Sequence, residues 1–125
     1  MTEDEISKII FEAGLKVHRK LGIGLYENVY ETCLEYELRN QGLKVERQKD
    51  IGIKYEELFI DKAFRVDLMI NDKVLIEIKA VPETNEYHFY QTLNYLRITE
   101  KKLGMILNFH SKLFKDGVKR VVNNL

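Results

Sequence analysis

Residues 65–80, RVDLMINDKVLIEIKA, constrain the fold more than any other part of this chain. Val66, Leu68 and Ile70 alternate with Arg65, Asp67 and Met69, and Val74, Ile76 and Ile78 alternate with Leu75, Glu77 and Lys79. This period of two marks two strands. Asn71, Asp72 and Lys73 between them are turn-forming or polar, which predicts an antiparallel hairpin. A two-residue turn would set Asp67 opposite Ile76 and mix charge with aliphatics on both faces. A three-residue turn pairs Val66 with Ile78, Leu68 with Ile76 and Ile70 with Val74 on one face, and Asp67 with Glu77 and Arg65 with Lys79 on the other. A one-residue slip would turn a whole hydrophobic set to the wrong face, so the three-residue register is expected.

That register has a chemical consequence. Directly opposed residues have Cβ atoms about 4.5–5.5 Å apart, close enough for two carboxylates to share one cation. Like charges so placed repel unless a cation, a proton or the neighbouring Lys79 compensates. The triplet Asp67, Glu77, Lys79 therefore suggests a metal site. The plainer reading is a solvated hairpin face, because D-x9-E-x-K also arises by chance.

At 125 residues, 45% apolar and 32% charged, the chain reads as one soluble globular domain spanning residues 1–125. Its first residues, MTEDEISKII, form neither a basic leader nor an apolar run, and no other segment could span a bilayer. A cytoplasmic protein without membrane association is expected. The single cysteine, Cys33, excludes an internal disulfide and any thiolate metal site, and core packing is its expected role. Net charge is zero, but residues 101–125 hold six basic side chains against one acidic. Lys101, Lys102, Lys112, Lys115, Lys119 and Arg120 could line a phosphate-binding cleft or simply meet solvent.

Elsewhere, Thr2 and Glu5 form a capping box before a helical pattern over residues 3–20 that ends at Gly22 and Gly24. A second helix is predicted from about Tyr26 to just before Gly42, with Val29, Tyr30, Cys33, Leu34 and Leu38 inward. Residues 43–49, 51–55 and 58–64 read as short strands. After Pro82, residues 85–98 regain helical spacing, with Phe89, Leu93 and Leu96 on one stripe and His88, Gln91 and Tyr95 on another. Residues 103–108 suit a buried strand, and Asp116-Gly117 marks a turn before a last strand, 118–122.

This order of elements, together with Asp67, Glu77-x-Lys79 and Gln91-x-x-x-Tyr95, resembles the PD-(D/E)xK nuclease superfamily, in its RecB and lambda-exonuclease-like branch. Gly24-Leu-Tyr-Glu27-Asn-Val-Tyr30 is similar to the signature of the small GxxExxY proteins grouped with those nucleases. The resemblance implies an α/β (α+β) restriction-endonuclease-like core with a central mixed sheet flanked by helices. It implies metal-dependent phosphodiester hydrolysis, with DNA the expected substrate and Mg²⁺ or Mn²⁺ the cofactor. Asp67 and Glu77 would bind the metal, with Glu27 a further ligand directly or through water. Lys79 would position the attacking water, Gln91 would orient Lys79 or a water, and Tyr95 would touch a phosphate or a base. His18 would be a ligand or a phosphate contact, or else structural. Two other readings stand beside this one: a catalytically inactive nuclease-fold protein binding nucleic acid or protein, and a helix-mediated homodimer.

Overall fold

The computed structural model describes all of residues 1–125. Its elements run α1 (Glu3–Leu21), α2 (Glu27–Asn40), β1 (Val45–Tyr55), β2 (Leu58–Ile70), β3 (Val74–Lys79), α3 (Glu86–Thr99), β4 (Leu103–Asn108), a short 3-10 helix (Phe114–Gly117) and β5 (Val118–Val122). The five strands form one mixed sheet in the order β1-β2-β3-β4-β5, in which only β3 and β4 are parallel, joined by the α3 crossover. The expected α/β (α+β) architecture, a central mixed sheet flanked by helices, is what this chain adopts. No helix is long and apolar enough to cross a membrane.

Local chemistry explains the helix limits. The Thr2 hydroxyl accepts from the Glu5 N–H while the Glu5 carboxylate accepts from the Thr2 N–H, closing the capping box of α1. The helix stops at Gly22, whose φ of 70° is open to glycine at little cost. Ile6, Ile10, Ala13 and Val17 face inward at helical spacing, and α2 adds Tyr30, Leu34 and Leu38. Val29, expected inward, is exposed, and Cys33 packs half-buried against the core.

The sheet separates two cores. The larger, of 19 buried residues, lies under α1 and α2 and includes Leu68, Ile70, Val74, Ile76 and Ile78. The smaller, of six, lies under α3 and joins Met69, Leu75 and Ile106 to Leu96. Buried on both faces, β3 and β4 read as nearly continuous aliphatic runs. On α3, Thr92 is buried beside Leu96, whereas Phe89 is exposed, so the inward stripe is turned from the Phe89–Leu93–Leu96 line.

The three-residue hairpin register is as expected next to the turn, where Leu68 pairs with Ile76, Met69 with Leu75 and Ile70 with Val74, but the expected pairs Val66–Ile78, Asp67–Glu77 and Arg65–Lys79 do not form because the strands part after Leu68–Ile76. Asn71 and Asp72 take left-handed φ values of 51° and 54°, which short polar side chains tolerate. Asn71 also exchanges hydrogen bonds with the Lys44 backbone, tying the turn to the start of β1. Two expectations are corrected. The short strands 43–49 and 51–55 are one strand, β1, and 58–64 runs on without a break into the Asp67 segment as β2. Val66, expected to share a face with Leu68, packs instead with Met69 and Leu75 under α3.

Close packing around Gly14 predicts a mutational sign. A Cβ added at Gly14 of α1 would stand 2.3 Å from Cζ of Phe114, whose ring is held by Phe11, Phe109 and His18. Gly→Ala inside a helix ordinarily gains about 1 kcal/mol. Overpacking a fixed aromatic core costs roughly 1–3 kcal/mol and should win. Differential scanning fluorimetry should therefore show Gly14→Ala melting below the wild type, with Phe114→Leu added to it recovering part of the loss. A rise for the single variant would mean that the Phe114 ring yields freely.

Candidate active site

The hairpin ladder between β2 and β3 stops at Leu68–Ile76, although β3 stays paired with β4 as far as Lys79–Asn108. Beyond that point side chains replace backbone carbonyls. The Asp67 N–H donates to Glu77 Oε2 at 3.0 Å, and the Ile78 N–H donates to Asp67 Oδ2 at 2.8 Å. The two carboxylates thus lie in the gap between parting strands, each held by the other strand's backbone.

Burial governs their protonation. Glu77, only 5% exposed, is pushed up to about 8 from its ordinary 4.5, first by desolvation and then by the charge of Asp67. Asp67 is also raised, again chiefly by desolvation, with the charge of Glu31 adding to it. The backbone N–H bonds and the Lys79 ammonium pull both values the other way without cancelling burial. Lys79 makes no ion pair within hydrogen-bonding range; its charge acts on the carboxylates from a short distance.

The loops around β3 fix the site's edge. Gly24, at φ 103°, turns the chain before α2. The Tyr30 hydroxyl donates to the Gly22 carbonyl (2.6 Å) and accepts from the Leu25 N–H (3.2 Å), and its ring stacks on Phe109 at 4.6 Å. Glu27 then begins α2 and accepts from the Ala80 N–H at 3.2 Å, which sets its carboxylate over the end of β3, next to Lys79. Buried Asn108 clamps the segment after β3, exchanging hydrogen bonds with the Val81 backbone while Phe109 N–H binds the Lys79 carbonyl.

Helix α3 closes the other side. Tyr95 stacks on Phe64 with centroids 4.0 Å apart, and its phenol is raised by burial and then by the charges of Glu77, Tyr87 and Asp67. Gln91 donates to the Tyr87 hydroxyl at 3.2 Å and makes no hydrogen bond to Lys79 or Glu77. His88 caps α3 through Nδ1 and is lowered by burial, then by the nearby Lys79 charge. Asp67, Glu77, Lys79, Glu27 and Tyr95 are therefore neighbours, whereas Gln91 is engaged within its own helix. His18 donates through Nε2 to the Ser111 carbonyl at 2.7 Å and tilts against Phe114, a joint between α1 and the segment after β4. The basic C-terminal side chains are dispersed: Lys101 pairs with Asp72, Arg120 with Asp4, and Lys119 acts on His88.

A layer behind Asp67 was not anticipated. Glu31, one turn after Glu27 and 4% exposed, accepts from Arg47 Nε at 2.6 Å and from Gln48 Nε2 at 2.9 and 3.0 Å. Its i+4 spacing from Glu27 was the available signal, since both lie on one face of α2. Nothing in the sequence marked Gln48 or Asn108.

No group of three or more His, Cys, Asp or Glu side chains converges closely enough to hold a metal ion. The donor chemistry of the central pair nevertheless suits a hard divalent cation. Two desolvated carboxylates repel each other, and Glu77 Oε1 accepts no hydrogen bond, leaving oxygen ligands free for an ion that keeps several waters.

A family model described as the PD-(D/E)XK nuclease superfamily matches residues 4–121. The crystal structure of SSO0001 is similar in fold, with 14% sequence identity and a TM-score of 0.56 over 96% of this chain and 79% of that one. No curated protein matches the chain.

The raised carboxyls predict a pH dependence with a definite sign. A carboxyl raised in the folded state contributes stability that is complete below its unfolded value, 4.5 for Glu77, and is lost as pH climbs through about 8. In EDTA, from about pH 5 to about pH 9, the wild type should lose at least about 5 °C more in Tm than Glu77→Gln. Parallel profiles would place the pH dependence elsewhere in the molecule.

Proposed function

The chain belongs to the PD-(D/E)XK nuclease superfamily, and from that premise we propose that it is a divalent-cation-dependent nuclease that hydrolyses phosphodiester bonds, with DNA as substrate. The observation that carries this reading is the meeting of the buried Glu77 and the half-buried Asp67 carboxylates where β2 leaves β3, with Lys79 beside them. A merely solvated hairpin face has no reason to desolvate two like charges.

In this reading Asp67 and Glu77 would hold a Mg²⁺ or Mn²⁺ ion, and Glu27, over the end of β3, would contribute directly or through a water. When bound, the cation lowers the pKa of a water and offsets negative charge developing on the phosphate. Lys79, whose charge already acts on both acids, would position the attacking water. Tyr95, fixed by its stack on Phe64, offers its hydroxyl beside the carboxylates. Gln91, which donates to the Tyr87 hydroxyl, would have to leave that bond to orient Lys79 or a water. Gly24, Glu27 and Tyr30, which together shape the loop before α2, favour the GxxExxY proteins as the nearer group. Gln91-x-x-x-Tyr95 favours the RecB and lambda-exonuclease-like branch. One observation supports a second reading, a nuclease-fold binding module without catalysis: only two ligand carboxylates converge.

The deciding experiment is cleavage of linear, circular and single-stranded DNA, and of RNA, with Mg²⁺ or Mn²⁺ and with EDTA. Cleavage should depend on the metal, and Lys79→Ala should lower it by about 10²-fold, the lower range for a group acting on proton transfer. Isothermal titration should give a Mn²⁺ site that Asp67→Asn and Glu77→Gln each weaken strongly. Nucleic-acid binding without cleavage or Mn²⁺ affinity would favour the binding module.

A further inference from the structure

We propose that Gln48 is a positioning residue: its side-chain amide, anchored on the buried Glu31, holds the Asp67 carboxylate in place at the open end of the hairpin ladder. The consequence for metal binding rests on the nuclease reading of this site; the positioning itself does not.

Backbone geometry singles Gln48 out. Its φ is +51°, a left-handed conformation uncommon for a residue with a side chain. The other non-glycine residues with positive φ, namely Glu56, Asn71, Asp72, Glu100 and Asn124, lie in turns, at the end of α3 or near the C-terminus. Gln48 alone sits inside a strand, between the pairs Arg47–Leu68 and Lys49–Val66. Strained residues within regular structure gather where a side chain must be aimed.

The aim is visible in the hydrogen bonds. Successive residues of a regular strand point to opposite faces, yet Arg47 and Gln48 both reach Glu31. The twist at Gln48 makes this double approach achievable. Its terminal group lies between two carboxylates, Glu31 at 2.9 and 3.0 Å and Asp67 Oδ1 at 3.3 Å. Carboxylates only accept, so the atom between them is the amide nitrogen, with one N–H for each acid. Asp67 Oδ2 meanwhile takes the Ile78 N–H, so both of its oxygens are held from opposite sides.

Charge explains the choice of an amide. A lysine or arginine there would fix Asp67 equally well but neutralise it, lowering its attraction for a cation. A neutral donor orients the carboxylate and leaves its charge intact. Glu31 is restrained in turn by Arg47, whose guanidinium also reaches Glu35 at 3.3 Å. The order Arg47, Glu31, Gln48, Asp67 is a support layer of the kind that tunes a ligand without touching the metal.

The test uses Gln48→Gly, which keeps the positive φ without strain and removes the whole side chain with its amide, and Glu31→Met, of similar length, which removes the anchor. Amide hydrogen exchange by NMR on metal-free protein reads the Ile78 N–H directly. Both variants should accelerate its exchange about tenfold while the amides of β4 keep wild-type rates. Where the wild type binds Mn²⁺, Gln48→Gly should also weaken that affinity about tenfold, within the usual range for a residue supporting a ligand. Wild-type exchange at Ile78 in Gln48→Gly overturns the proposal, unchanged Mn²⁺ affinity in that variant overturns its consequence for metal binding, and wild-type exchange in Glu31→Met removes Glu31 as the anchor. A wild type that neither binds Mn²⁺ nor cleaves nucleic acid defeats the nuclease reading, while the Ile78 amide still decides the positioning.

Discussion

The site depends on one event in the sheet, the parting of β2 from β3 after Leu68–Ile76. Strand β3 remains bonded to β4 along its whole length, while β2 follows β1 out to the Tyr55–Leu58 end of the long hairpin. Backbones that part inside a protein leave N–H groups without partners, and a buried N–H left unsatisfied is costly. The Asp67 and Glu77 carboxylates accept those N–H groups. The same substitution brings two acids together away from water and raises the protonation of both. The satisfaction of the parted backbone and the raised protonation of the two acids thus come from one arrangement.

Much of this was legible because β-strands expose their period. The alternation through residues 65–80 specified the register, since only a three-residue turn keeps the Leu68–Ile76 and Ile70–Val74 pairs aliphatic, and those pairs form. The helix limits followed from side-chain chemistry at Thr2, Glu5 and Gly22. What strict alternation could not convey was its own interruption. Val66 lies on the α3 side although the β1–β2 register runs unbroken from Arg47–Leu68 to Lys49–Val66, and the left-handed glutamine between those pairs leaves no mark in composition or spacing. Glu31 was missed for a different reason. An acid in an amphipathic helix reads as solvated, and only the fold shows that Arg47 and Gln48 arrive from β1 to bury it.

The layer behind Asp67 also has an energetic logic. A buried carboxylate with one partner removed is strongly destabilising, by roughly 3–5 kcal/mol, whereas a complete pair is close to neutral. Glu31 therefore contributes little net stability through Arg47, at 2.6 Å. Its value lies in direction, because it fixes where the Gln48 amide must be. The raised Asp67 and Glu77 carboxyls, together with the strain at Gln48, place several unfavourable terms within one small region. Functional sites commonly carry such costs, offset by packing elsewhere. Here the offset is the 19-residue core under α1 and α2, to which Leu68, Ile76 and Ile78 belong.

Topology sets the direction from which a ligand would approach. Parallel β3 and β4 end together at Lys79 and Asn108, and ligands of open sheets gather at such carboxyl ends. Two helices also begin there: Glu27 opens α2 on the Ala80 N–H, and His88, in the first turn of α3, lies within the field of Lys79. Helix N-termini carry partial positive charge, so this edge adds two favourable dipoles to the Lys79 ammonium. The carboxylate pair just inside it is negative. An anion such as a phosphodiester would thus be attracted at the rim and repelled one strand further in, unless a cation stood between. Under the proposed nuclease function, a cation at Asp67 and Glu77 would relieve that repulsion, so the two bindings would be coupled and the cation would strengthen the hold of the rim on a phosphate.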